Sequence, residues 1–295
     1  MPIQKKLLRL MLFARRNGNQ SEWRNATPKL PDNGNHGQIL ESDMSGLIQV
    51  FVVGGGGFTH SQDGDGRDAL LEDRLLALVG PVAKLKIGYI GHANNDRADR
   101  LAAFYARFAG CARTTHLPIT ADAAMAQDFL QDLDILYVGG GTTTAMLSHW
   151  RNAGIADLLV AAVQKGLVAS GVSAGGICWF SDLLLETKDD CFEPQFEQHK
   201  GLGLIAGSAC PHFSSEPARK QAFEMAIASR QLQSGIAIDD GIGVHIINGV
   251  VAEIVRARSS GSAYLLVPDG DINTHQPLMR GHRLGMGSTN GDAGI

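Results

Sequence analysis

Short apolar segments alternate with segments of helical periodicity through the first 180 residues of the chain. Residues 47–53 are mostly Val, Ile, Leu and Phe and run into four consecutive glycines, a pattern that predicts a buried strand followed by a tight loop. The strand pattern returns at 85–90, 112–117, 133–138 and 166–171, and helices are predicted at 67–79, 96–109, 122–130, up to 165, and at 174–180. Such alternation with short connections predicts an α/β fold, in which a mostly parallel sheet carries helices on both faces and binds ligands at the carboxyl ends of its strands.

The pattern changes after residue 180. Residues 182–203 are acidic and aperiodic, which predicts an irregular loop, whereas 204–209 predicts a short strand and 216–229 a helix. Short strand patterns at 236–238, 242–247, 250–255 and 264–267 predict a β-meander toward the C-terminus that closes the sheet. We therefore predict a flexible N-terminal extension (1–46), a single α/β domain (47–268) and a Gly-rich C-terminal tail (269–295).

Composition narrows the class of partner. The 295 residues carry a formal net charge of -4 without a dense Lys/Arg stripe in the body of the chain, which argues against nucleic acid or an anionic membrane. No apolar run reaches the ~18 residues of a membrane span. The four cysteines show no zinc spacing and are too few for a disulfide scaffold, so a cytoplasmic protein without metal or cofactor is expected. The expected partner is a small molecule, and the expected state is a monomer or homodimer.

One motif carries candidate chemistry. Gly171-Val172-Ser173-Ala174-Gly175 has the G-x-S-x-G form, in which the serine lies on a strained turn between a strand and a helix. The first N–H groups of that helix point at whatever approaches the serine and could hold an oxyanion. In a chain with 36 glycines, the same motif could also be only a tight packing turn.

Two glycine-rich loops follow predicted strands, at 54–57 and 139–141. Neither continues as G-x-G-x-x-G or as a P-loop, so nucleotide binding is disfavoured and tight turns are the simpler interpretation. The second loop has a further possible role. A backbone N–H of Gly140 or Gly141 could complete an oxyanion hole with the N–H of Ala174.

A serine nucleophile requires a base, and the base requires an acceptor that orients it. His212 is the best candidate for the base because it follows a predicted strand and precedes a helix. His60 and His92 also follow strands, and position alone leaves them open. For the acceptor, residue chemistry does not choose among Asp239 and Asp240, after the strand 236–238, and Asp189, Asp190 and Glu193, in the acidic loop.

Three motifs in register resemble the peptidase E family, the aspartyl dipeptidase relatives that also include cyanophycinases. These are Val138-Gly139-Gly140-Gly141-Thr142, the Ser173 motif and Cys210-Pro211-His212-Phe213, and the resemblance covers residues 47–267. It implies a fold related to class I glutamine amidotransferase domains, with serine in place of cysteine as nucleophile. It also implies hydrolysis of small peptides with an N-terminal aspartate.

The resemblance also assigns roles to residues. Ser173 matches the family nucleophile and His212 its base, and Asp240-Gly241 matches the acid-Gly pair of the third member, with Asp in place of Glu. Asp189 and Asp190 match a substrate-binding loop, and Arg219 matches a basic residue that could pair with a substrate carboxylate. Glu216 is also expected to bind substrate. The alternatives are a cyanophycinase-like or other amide hydrolase on the same fold and a non-catalytic binding protein. A glutaminase is disfavoured because the motif carries Ser rather than Cys.

Overall fold

The computed structural model describes residues 46–58, 68–80, 85–187, 194–269 and 272–285. Asp189, Asp190, Glu193, His60 and nearly all of the predicted extension lie outside these residues. Within the described ranges the chain forms seven α-helices, none of them long and apolar enough to cross a membrane. They are α1 (Ala69–Ala77), α2 (Ala98–Phe108), α3 (Ala123–Leu130), α4 (Thr143–Asn152), α5 (Ile155–Gln164), α6 (Ala174–Ile177) and α7 (Pro217–Ala228).

Thirteen strands are present in the same part of the chain, and they form two sheets. The strands are β1 (Gln49–Val53), β2 (Lys86–Ile90), β3 (Arg113–Leu117), β4 (Ile135–Val138), β5 (Val168–Val172), β6 (Phe180–Thr187), β7 (Gln195–Lys200), β8 (Ile205–Cys210), β9 (Gly235–Ile238), β10 (Ile242–Ile247), β11 (Val250–Arg256), β12 (Ala263–Asp269) and β13 (Ile272–Pro277). The first sheet has the order β11-β10-β1-β5-β4-β2-β3 and the second the order β13-β12-β9-β8-β6-β7.

The first sheet is built on five parallel strands. β5 lies at its centre, with β1 and β4 parallel on either side, and β10 adds to β1 in the antiparallel direction. Alternate residues of β1 face opposite sides. Val50 and Val52 pack with the apolar faces of α3, α4 and α5, whereas Phe51 and Val53 pack with α1 and α2. The prediction of an α/β fold with a mostly parallel sheet and helices on both faces is therefore confirmed.

The C-terminal strands are present as predicted, but two sheets share them. β10 and β11 form a hairpin that extends the first sheet, while β9 and β12 belong to the second. The chain passes from one sheet to the other at Asp240, which forms an isolated parallel bridge with Gly55 at the end of β1. The ends of β1 and β9 are thereby joined, and this junction lies at the candidate site.

Two segments differ from the prediction. The helix that begins at Ala174 ends at Ile177 rather than at residue 180, and the stretch predicted as an irregular acidic loop contains the antiparallel pair β6 and β7. β7 is mostly polar and exposed, so it lacks the apolar alternation that identifies a strand. In the stretch predicted as a Gly-rich tail, β13 pairs with β12, and Leu278 and Leu284 are buried. Ordered structure thus continues beyond the predicted boundary at 268.

Glu72 on α1 is a buried carboxyl group beneath the glycine loop that follows β1. Burial raises its pKa from 4.5 to about 7, although the hydrogen bond that it accepts from the N–H of Phe58 lowers this pKa. An acid whose pKa is higher in the folded state loses stabilising free energy as the pH rises from the unfolded pKa through the folded one. We therefore expect Glu72→Gln to stabilise the protein above pH 7, by about 3 kcal/mol at roughly 1.4 kcal/mol per unit of pKa, and to have a much smaller effect at pH 4.

Urea unfolding at both pH values measures this difference. Asp73→Asn is the matched control, because Asp73 is its exposed neighbour and also pairs with Arg107. A Glu72→Gln protein that is less stable than wild type at pH 8, or whose difference from wild type does not change with pH, would contradict this expectation.

Candidate active site

Ser173 lies on the turn between β5 and α6, at the centre of the first sheet. Its backbone has φ 53° and ψ −119°, a conformation that non-glycine residues rarely adopt. The turn is held on both sides, since the N–H of Ser173 donates to Val53 O at 3.0 Å and its carbonyl accepts from the N–H of Gly176 at 2.9 Å. This strained and well-anchored turn is the geometry that the G-x-S-x-G motif predicts for a nucleophile.

The two glycines of the motif are required by close backbone contacts. A Cβ atom at Gly171 would meet the carbonyl of Gly175, and a Cβ atom at Gly175 would meet the carbonyls of Val138 and Gly139. The turn therefore packs directly against the end of β4. As a result, the backbone that follows β4 lies beside Ser173.

The loop after β4 supplies the second wall of the site. Gly141, Ser173 and Ala174 line the same cavity. Within the described residues, no backbone hydrogen bond uses the N–H of Gly141 or of Ala174. Two unused donors on adjacent segments fit the oxyanion hole predicted from the sequence. The carbonyl of Gly140, by contrast, accepts a hydrogen bond from Asn94 Nδ2 at 3.0 Å.

His212 lies in the turn after β8, in the second sheet. It also has a positive φ of 54°, and its carbonyl accepts from the N–H groups of Ser215 and Glu216. Its ring atom Nδ1 is 2.6 Å from Asp240 Oδ1, and the imidazole is largely shielded from solvent. The end of β1 places this pair near the nucleophile, since Val53 O binds Ser173 and Gly55, two residues on, packs against His212 and Asp240.

The two neighbouring aspartates after β9 have different contacts. Asp240 Oδ1 meets His212, and Asp240 Oδ2 accepts from Ser215 Oγ at 2.8 Å. The hydrogen bond from His212 lowers the pKa of Asp240 and outweighs the effect of burial, so this carboxylate is ionised at neutral pH. Asp239 points elsewhere and accepts from the N–H and Oγ of Ser214 and from the N–H of Ser262. Asp239 therefore links the loops that carry Ser214 and Ser262 by hydrogen bonds, and it makes no hydrogen bond to His212.

The glycine loop after β1 serves packing rather than phosphate binding. The N–H groups of Gly57 and Phe58 donate to Asp68 and Glu72, so the protein's own carboxylates occupy the donors that a phosphate would need.

Gly55, in the same loop, lies against the paired side chains of His212 and Asp240. A Cβ atom at Gly55 would overlap Asp240 Oδ1 and approach His212 Nδ1 to 2.5 Å. Only glycine leaves room for that pair. Sequence patterns did not reveal this role of Gly55, because the contact joins the two sheets.

Of the other two candidate histidines, His92 does not contribute to this site. His92 is buried away from this cavity, with Nε2 against the carbonyl of Leu117 at 3.1 Å and Nδ1 accepting from Trp150 Nε1 at 2.9 Å. His60 lies outside the described residues. Burial raises the pKa of Cys178 and Cys210 well above the usual range of a thiol, which disfavours thiolate chemistry at these two residues.

The cavity beside Ser173 has a volume of about 230 Å³. Arg219 lines it, and Glu216 accepts a hydrogen bond from Arg219 Nε at 2.5 Å. Glu216 therefore positions this arginine, while the arginine itself reaches the cavity. Glu186 on β6 also lines the cavity. This residue is not singled out by the sequence, because the pattern of residues 182–203 predicts an irregular loop rather than a strand. It is an acidic group near the predicted substrate-binding loop whose members Asp189 and Asp190 lie outside the described residues.

Comparisons with known proteins identify the family of this chain. The sequence model that describes peptidase family S51 matches residues 50–254 of this chain. The uncharacterized peptidase YgaJ of Bacillus subtilis (strain 168) is 32% identical over 224 residues, which cover 74% of this chain and 91% of that protein.

Two solved structures share the fold. One is a peptidase from an acI-B1 actinobacterium, with a TM-score of 0.54 and 13% identity over 82% of this chain and 98% of that one. The other is a candidate peptidase E protein from Listeria monocytogenes EGD-e, with a TM-score of 0.52 and 18% identity over 71% of this chain and 98% of that one. The family match spans the strands and turns that carry Ser173, His212 and Asp240. The chain therefore belongs to peptidase family S51 and is a serine peptidase.

Proposed function

We propose that this serine peptidase is a dipeptidase that prefers an N-terminal aspartate and acts through Ser173, His212 and Asp240. The observation that carries the proposal is the 2.6 Å contact between His212 and Asp240 at the end of β1, next to a cavity that Ser173 shares with Arg219. Its volume of about 230 Å³ is below the ~300–1,000 Å³ of sites for drug-sized ligands. A substrate of one or two residues suits a cavity of this size.

In the proposed reaction, Ser173 Oγ attacks the scissile carbonyl while His212 takes its proton. His212 then donates this proton to the leaving amine, which leaves an acyl-enzyme that water hydrolyses. Asp240 holds the imidazole through Nδ1 and stabilises the positive charge that the ring acquires. The N–H groups of Ala174 and of Gly141, or Gly140, bind the oxyanion in each step.

Charges around the cavity support the choice of substrate. Arg219 would pair with the side-chain carboxylate of an N-terminal aspartate, and Glu216 keeps its guanidinium in place. The free α-amine would be bound by an acid. Glu186, which lines the cavity, is a candidate for that role in addition to the predicted Asp189 and Asp190. The purified enzyme should therefore hydrolyse Asp-Leu faster than Ala-Leu, and acetyl-Asp-Leu hardly at all. Equal rates on all three peptides would exclude the aspartyl dipeptidase and favour a broader amide hydrolase.

Arg219→Met tests the pairing directly. The variant keeps a long apolar side chain but loses the charge, so we expect kcat/KM for Asp-Leu to fall about 10- to 100-fold, the size of a hydrogen bond to a charged group. Hydrolysis of Ala-Leu should change little, and the preference between the two peptides should disappear.

Lys220→Met is the matched control, because Lys220 is the next residue on α7 and does not line the cavity. It should leave the ratio of the two rates as in wild type. If Arg219→Met slows both peptides to the same extent, Arg219 does not recognise the aspartate carboxylate.

A further inference from the structure

We propose that Asn94 is a positioning residue of the oxyanion hole, which fixes the direction of the Gly141 N–H without touching the substrate. This inference rests on the proposed function. It begins with a contact between two loops: Asn94 ends the short 3-10 turn after β2, and its Nδ2 donates to the carbonyl of Gly140 at 3.0 Å.

The side-chain amide of Asn94 is held at both ends. Its Oδ1 accepts from the N–H of Arg97 at 3.1 Å, which leaves the NH2 group to face Gly140. The two loops are joined a second time, because the N–H of Thr142 donates to the carbonyl of Ala93 at 2.7 Å. The turn 92–94 therefore fixes two peptide planes, that between Gly140 and Gly141 and that between Gly141 and Thr142.

Peptide geometry turns this contact into an effect on catalysis. No peptide bond of the described chain is cis, so the C=O of Gly140 and the N–H of Gly141 point in opposite directions within one plane. When Asn94 binds the carbonyl, the N–H is directed away from the 92–94 turn. Gly141 lines the cavity that contains Ser173 and Ala174, so this is the direction from which an oxyanion would approach. A preorganised donor of this kind needs no reorientation during the reaction.

Asn94→Asp separates positioning from packing. Aspartate has nearly the same shape and can still accept from the N–H of Arg97, but its carboxylate cannot donate to Gly140 and repels that carbonyl. Donation returns when the carboxyl group is protonated. The defect should therefore shrink as the pH is lowered, which a loss of packing alone would not produce.

The experiment measures the rate at which a fluorophosphonate labels Ser173, since this reagent reacts with an activated serine and its P=O oxygen develops charge in the same hole. The assay needs no knowledge of the substrate. At pH 8, labelling of Asn94→Asp should be slower than wild type by at least ~30-fold and that of Asn94→Ala by about 10-fold, both below the ~100- to 1,000-fold effect of removing an oxyanion donor. The ratio of the labelling rate of Asn94→Asp to that of wild type should rise several-fold at pH 5. The fluorophosphonate concentration at which labelling reaches half its maximal rate should be the same for both proteins.

Asp99→Asn is the control, because Asp99 is exposed on the following helix and makes the reverse exchange of acid and amide. It should label at the wild-type rate. If Asn94→Asp labels within twofold of wild type, or is slowed equally at both pH values together with a lower melting temperature, the positioning role is overturned while the serine peptidase stands. If wild-type Ser173 itself is not labelled, the proposed chemistry fails, and the role of Asn94 fails with it.

Discussion

Replacing Ser173 by alanine is expected to lower kcat by at least ~10⁴-fold, since the remaining oxyanion donors and binding contacts supply only a residual acceleration over water. The fold should survive the change. The anchoring hydrogen bonds of the turn use the backbone of residue 173, and its side chain makes no capping bond to α6. Turnover of Asp-Leu and labelling by a fluorophosphonate, followed side by side, measure the effect.

Ser173→Gly is the informative companion to Ser173→Ala. Both variants lack the nucleophile and should be equally inactive, but glycine accepts the φ of 53° at residue 173 without strain. We expect Ser173→Gly to be more stable than Ser173→Ala by about 1 kcal/mol, the order of strain in such a conformation. A Ser173→Ala enzyme with turnover near that of wild type would show that another group is the nucleophile.

Replacing Asp240 by asparagine is expected to lower kcat by about 10³-fold or more, in line with the large losses seen when the acid of a serine triad is neutralised. The amide cannot stabilise the imidazolium that forms when His212 takes the serine proton. If its NH2 group faces Nδ1, it also selects the tautomer in which Nε2 carries a hydrogen and cannot act as the base. Because the two side chains have the same shape and Asp240 is about a quarter exposed, the midpoint of thermal unfolding should fall only modestly, by the loss of the charged hydrogen bond.

Asp239→Asn gives the opposite profile. Asp239 is 5% exposed and its carboxylate accepts three hydrogen bonds, so the amide leaves at least one buried donor unpaired. We expect a loss of stability of about 1–3 kcal/mol, with kcat per folded molecule reduced far less than in Asp240→Asn. If the two variants exchange these profiles, the acid that orients His212 is Asp239.

The fold was predictable from sequence where elements are buried on one or both faces. The five parallel strands and the helices between them were recognised because apolar runs, helical periodicity and glycine turns agree along that part of the chain. The second sheet was not recognised as such. Its outer strands, β7 and β13, are polar and exposed, and a strand held by its neighbours need not show apolar alternation.

The candidate site was predictable in its individual residues but not in its connections. Ser173 and His212 stood out because each lies in a turn motif, whereas the choice between Asp239 and Asp240 depends on which side of an extended chain faces the histidine. Asn94 carries no motif at all. Its contact with Gly140 joins residues 46 positions apart and exists only once the sheet has formed.

The close approach of Gly55 to His212 and Asp240 also bears on how members of a family are judged to be active. A related chain that retains the serine, histidine and aspartate but carries any larger residue at this position would keep the signature of a hydrolase and lose the arrangement that makes it one. A single methyl group could thus convert an enzyme into a pseudoenzyme without altering any residue that takes part in the chemistry. A list of the residues that an active member requires should therefore include Gly55, two residues after the first strand.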